Sequence, residues 1–141
     1  VLRVMAARFP RLAATLAARA TPADGVLFGP HADGESIVGR DLVAHYVPLS
    51  RRPTDVLAQR PPRTNGSTMP TECPDVAACL SEVERLWIVR TVATNDPLAG
   101  ISAPTRDAVA ELYEITETWR FRGLTLALAV RKPVDEPATS R

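Results

Sequence analysis

The chain has 141 residues, enough for one domain with a real core, and 45% of them are hydrophobic, which excludes a disordered protein. A formal net charge of +1 gives no sign of the strongly basic face of a nucleic-acid binder, and no nucleic-acid partner is expected. No run of eighteen or more apolar residues occurs, so no bilayer-spanning helix is expected within it.

The chain begins "VLRVMAARFPRLAATLAARA", which reads as an amphipathic helix over residues 2–20, with Leu12, Leu16 and Ala20 at four-residue spacing. Pro10 predicts a kink or a helix start. Arginines at 3, 8, 11 and 19 interrupt every apolar segment that a signal peptide would need. A first residue of Val rather than Met points to a processed or excised chain. "TPADG" is turn chemistry, and "GVLFGP" is a short apolar run that predicts a buried strand. "GESIVGRDLVAHYV" carries Ile37, Val38, Leu42 and Tyr46 at helical spacing, with Gly39 interrupting. "TDVLAQ" predicts a second strand, and residues 60–71 a loop.

A short helix is expected near Pro74, followed by the strand "RLWIVRTV". "NDPLAG" is a loop in which Asp96 forms a turn. Residues 104–115 predict a helix with Pro104 in its first turn and Ala108, Leu112 and Ile115 on its buried face. "TETWRF", Gly123 and the long strand "LTLALAVRK" close the fold. This alternation predicts an α/β fold: a single Rossmann-like three-layer sandwich. Its sheet is expected to be mixed and mostly parallel, with an antiparallel terminal strand. The domain is expected over residues 1–132, and the polar, proline-bearing residues 133–141 as a disordered tail.

Sixteen of the seventeen basic residues are arginine, a bias that a GC-rich genome accounts for and that specifies no ligand. The only two cysteines, Cys73 and Cys79, lie six positions apart. Two thiols with distant histidines make a poor zinc site, and the spacing is not the C-x-x-C of a redox pair. In one regular helix their Cα atoms would be about 9 Å apart, beyond the roughly 7 Å that a bridge tolerates. A bridge therefore requires Cys73 to lie outside the helix, with Cys73-Pro74 folding back toward Cys79. That bridge is the favoured reading, with two separate buried thiols as the alternative, and it would imply an oxidising compartment.

"GPHADGESIVGR", residues 29–40, follows the first strand where a dinucleotide fold places its phosphate loop, but matches neither G-x-G-x-x-G nor G-K-[ST]. His31, Asp33, Glu35 and Arg40 are candidate ligand-binding residues there, against the alternative of a solvated connection. Trp87 and Trp119 read as core or sheet-flank residues rather than sugar platforms. Asn65-Gly66-Ser67 is loop chemistry. No G-x-S-x-G, H-E-x-x-H or Cys–His motif occurs. No cofactor, no metal site and no activity of the chain alone are expected.

"FPRLAATLAARATPADGVLFGP", the Tyr near position 46, Asp55-Val56, the proline-rich loop, "ERLWIVR" and "LYEITETWRFRGLTLALAVRK" follow one another in a familiar order. The series resembles the C-terminal extracytoplasmic soluble domain of actinobacterial polytopic GT-C class glycosyltransferases, relatives of protein mannosyltransferases and of the lipid A aminoarabinose transferase. It covers roughly residues 8–132, and the order of the motifs carries it. The turn reads Pro22-Ala23-Asp24-Gly25 where the family's usual order is Pro-Gly-Asp. The resemblance implies a parent enzyme that uses a polyprenyl-phosphate sugar donor, with its catalytic acids in a loop absent from this chain. The chain would be an accessory domain at the extracytoplasmic face of the membrane. Its partners would be the transmembrane part of the parent and a glycan or lipid-linked acceptor. The alternative is a free-standing soluble Rossmann-like protein that binds a nucleotide or sugar ligand.

Overall fold

The computed structural model describes residues 2–30, 34–60 and 71–133. Helix α1 (Leu2–Arg19) leads through the Thr21–Asp24 turn into β1 (Gly25–Phe28), and α2 (Glu35–Tyr46) follows. A 3-10 turn (Leu49–Arg51) and the short strands β2 (Ala58–Arg60) and β3 (Thr71–Glu72) precede α3 (Val76–Cys79) and β4 (Arg85–Arg90). Helix α4 (Ala103–Leu112) runs directly into β5 (Tyr113–Phe121), and β6 (Leu124–Arg131) ends the fold. The expected loop at 60–71 falls largely, and the tail at 133–141 almost wholly, outside the described residues.

The main sheet has four strands in the order β1-β4-β6-β5. It is mixed, but the expectation of a mostly parallel sheet fails: β1 and β4 are parallel, while β6 is antiparallel to both of its neighbours. The reason is local. Phe121 pairs with Leu124, so only two residues join β5 to β6, and a connection that short can only make a hairpin.

The central strands β4 and β6 are buried on both faces, which explains their unbroken apolar runs. Trp87, Val89, Leu124, Leu126 and Leu128 pack with Phe9, Leu12 and Leu16 from α1, with Ala20 just past its end, and with Val43 from α2. Leu86, Ile88, Ala127 and Ala129 face the opposite layer, with Val76 and Leu80 near α3 and Val109 on α4. Helices thus lie on both faces of the sheet. The stripe Leu12, Leu16, Ala20 is fully buried, as its spacing predicts. Pro10 lies inside α1, not at its start.

Three local expectations are corrected. "TDVLAQ" is not a sheet strand: Thr54 makes one parallel bridge to Gly25, a turn follows, and only Ala58 onward pairs, with β3. The buried stripe of α2 is Glu35, Ser36, Gly39 and Val43 rather than Ile37, Val38, Leu42 and Tyr46. Gly39 sets that phase, because a Cβ there would lie 2.8 Å from the Phe28 ring. Helix α4 ends at Leu112, so Ile115 sits on β5, 36% exposed. Val109 and Tyr113 take the buried positions instead.

The arginines have intramolecular targets. Arg51 donates to the carbonyls of Ala17 and Ala18, and Arg85 to that of Arg19, at the end of α1. Arg52 donates to Ala44 and Val47 at the end of α2. Guanidinium donors here satisfy carbonyls that a helix end leaves open and oppose the negative end of its dipole.

Candidate functional site

The carboxyl end of β1 opens into a cleft of about 300 Å³ between α2, the Asp55–Leu57 segment and the start of α4. Its walls are largely apolar, with Phe28, Leu57 and Ile101 contributing. Among the described residues, its polar side chains are Arg40 from α2, Asp55, and the hydroxyls of Ser102 and Thr105. Arg40 Nε donates to Asp55 Oδ2 at 2.5 Å, and its guanidinium lies 5.2 Å from the centre of the Phe28 ring. Ser102 caps α4 without a side-chain bond to that helix's backbone; its hydroxyl lies 3.4 Å from that of Thr105.

The four sequence-predicted ligand residues part company. His31 and Asp33 lie outside the described residues. Arg40 reaches the cleft. Glu35 turns inward to a fully interior ion pair with Arg90, at 2.8 and 3.1 Å. Its Oε2 also accepts from the backbone N–H of Thr91, and Arg90 Nη1 donates to the Pro97 carbonyl at 2.7 Å. This network ties the start of α2 to the end of β4, and the Glu35 carboxyl lies close against Gly29 at the cleft. Of the groups that sequence reasoning passed over, Arg90 had a signal: it is a charge closing an otherwise apolar central strand. Ser102 had one too, as a small hydroxyl just ahead of a helix-starting proline. Asp55 had no local signal, since its partner lies fifteen residues away.

Cys73 and Cys79 form a disulfide, with Cα atoms 6.7 Å apart. Cys79 is the last residue of α3 and Cys73 precedes it, outside the helix, as the distance argument requires. Asp75 caps α3 by accepting from the N–H of Ala78. The bridge anchors the chain after β3 beside Leu57 and Leu80.

Trp87 is fully buried, and Trp119 stacks on it at 5.8 Å between ring centres. The Arg19 guanidinium lies 5.0 Å from the Trp119 ring, so this pair is part of the packing rather than an open platform. Arg19 also holds both carboxylate oxygens of Glu117 at 2.6 Å, which draws the Glu117 carboxyl below its ordinary range.

Among the described residues, no cluster of three or more His, Cys, Asp or Glu side chains is placed to hold a metal ion. No described helix is long and apolar enough to cross a membrane. Among the described residues, the cleft brings together one ion pair and two hydroxyls. No protein-family model, no curated protein and no solved structure matches the chain.

Proposed function

We propose that this chain is an accessory extracytoplasmic domain of an integral-membrane glycosyltransferase that draws on a polyprenyl-phosphate sugar donor. In this reading the chain is not catalytic by itself. It packs on the transmembrane part of the parent protein and helps to shape the site of a glycan or lipid-linked acceptor. The observation that carries the placement is the Cys73–Cys79 disulfide, since bridges of this kind persist in oxidising compartments. Helices on both faces of the sheet are in keeping with a Rossmann-like sandwich, the fold that the alternation of strands and helices predicts.

Two of the stretches that carry the resemblance meet in the fold: Asp24 of the Pro22–Gly25 turn accepts from the indole of Trp87 in "ERLWIVR". Arg85 of the same strand lies 3.8 Å from that carboxylate.

The test is the parent reading frame upstream of Val1. A dozen or so apolar segments, with acidic residues in the first outer loop, support the proposal. A start codon at or just before Val1, with nothing hydrophobic ahead, removes it and leaves a free-standing protein.

A further inference from the structure

The cleft at the end of β1 has a chemistry of its own, whether or not the chain belongs to a transferase. Its volume of about 300 Å³ lies at the lower end of ligand pockets and suits one six-membered ring with substituents. Its walls are mostly apolar, matching a molecule with C–H faces. Among the described residues, the charged groups lining it are Arg40 and Asp55, joined to each other by a hydrogen bond, so this pair adds no net charge.

That pairing discriminates between ligand classes. An anion drawn to Arg40 would lie against the Asp55 carboxylate, and a cation drawn to Asp55 would meet the Arg40 guanidinium. A hydroxyl suffers neither conflict, because it can accept from the guanidinium and donate to the carboxylate. Ser102 and Thr105 add two more groups that both donate and accept, 3.4 Å apart and only weakly engaged with each other. Ser102 is exposed at the rim while Thr105 is buried, so the hydroxyls run from the mouth toward the interior.

We infer that this cleft binds an uncharged polyhydroxylated ring of hexose size. Its ring face would lie on Leu57 and Ile101, with its hydroxyls shared between the Arg40–Asp55 pair and the hydroxyls of Ser102 and Thr105.

The test is a titration of the isotope-labelled, disulfide-intact chain followed by amide NMR. Glucose, mannose and galactose serve as probes, and inorganic phosphate as the anionic control. The expected result is a saturable shift of the Gly29, Gly100, Ser102 and Thr105 amides by at least one hexose, with phosphate leaving them in place. Thr105→Val should weaken that hexose about tenfold, the effect of one lost hydrogen bond. If that variant misfolds, Ser102→Ala tests the other hydroxyl contact, at an exposed position. Absence of any shift with each hexose at on the order of 50 mM would overturn the inference, since it would place the affinity beyond any useful range. Shifts by phosphate alone would also overturn it, pointing instead to an anion at the start of α4. Unchanged affinity in both hydroxyl variants would remove the cleft as the binding place.

Discussion

The indole N–H of Trp87, in the middle of β4, donates to Oδ2 of Asp24 at 3.0 Å in the protein interior. The same oxygen accepts from the backbone N–H of Thr21, so one carboxylate both closes the turn before β1 and anchors the largest core side chain. Asp24→Ala would strand the buried indole donor and open the turn. A loss of about 2–3 kcal/mol is expected, typical of an unsatisfied buried group that had a charged partner. Urea unfolding of the disulfide-intact protein measures it. A loss below about 0.5 kcal/mol, the size of an ordinary surface substitution, would mean that this bond contributes little.

The Glu35–Arg90 pair makes a sharper prediction because both side chains are only 4% exposed. Arg90→Met removes the cation that faces the buried Glu35 carboxylate and should cost about 3–5 kcal/mol, whereas replacing both residues by apolar ones should restore much of that loss. Gly29 reports on the same network. A Cβ at Gly29 would sit 2.2 Å from the Glu35 carboxyl carbon, so Gly29→Ala should be severely destabilising in the native sequence. In a Glu35→Ala background the obstruction is gone, and Gly29→Ala should add little. Independent, additive costs in the double variant would contradict this coupling.

The sequence was most legible where burial on both faces forces an apolar run. The strands at 25–28, 85–90 and 124–131 and the α1 stripe all follow from such patterns. Where a long-range contact decides, the pattern misleads. Gly39 looked like a helix weakness, but it is the point at which α2 rests on Phe28, and it rotates the buried face away from the more hydrophobic residues. The 104–115 segment reads as one helix because its apolar spacing continues past Leu112; Lys132 donates its backbone N–H to the Leu112 carbonyl where β5 takes over. The arginines looked scattered because their targets are carbonyls remote in sequence, such as Ala17 for Arg51. Of the cleft, Arg40 was read as a ligand residue, while Asp55, Ser102 and Thr105 come together only through the fold.

The disulfide should contribute stability mainly by shortening the unfolded chain's freedom. Its seven-residue loop predicts about 2.4 kcal/mol on the chain-entropy treatment. Replacing both cysteines by serine should lower the urea midpoint accordingly, without altering the amide pattern of the β4–β6 core. Cys73 is buried beside Leu57 and Leu80, so part of any loss would come from placing a hydroxyl there. A Cys→Ala pair separates the two effects: it retains the entropic loss and omits the buried hydroxyl. Intact mass before and after reduction, on material exported to an oxidising compartment, should differ by the two hydrogens of one bridge.

Tyr113 predicts an alkaline limit to stability. Its hydroxyl, buried at the first residue of β5, donates to the Val83 carbonyl at 2.6 Å and lies 3.3 Å from Arg131 Nη1. Burial pushes the phenol above its ordinary value, and the Arg131 guanidinium only partly offsets that rise. A phenol raised in the folded state favours the neutral form there. Its contribution is therefore complete below the unfolded tyrosine pKa of about 10 and is lost as pH climbs through the higher folded value. The urea midpoint should stay level with respect to this group up to about pH 9 and then fall. Tyr113→Phe should cost about 1 kcal/mol at neutral pH, for one hydrogen bond, and should flatten the alkaline decline. The comparison must be made between the two proteins at each pH, because other groups also titrate in that range. An identical slope in both would show that the alkaline loss arises elsewhere and that the Tyr113 phenol titrates alike in the folded and unfolded chains.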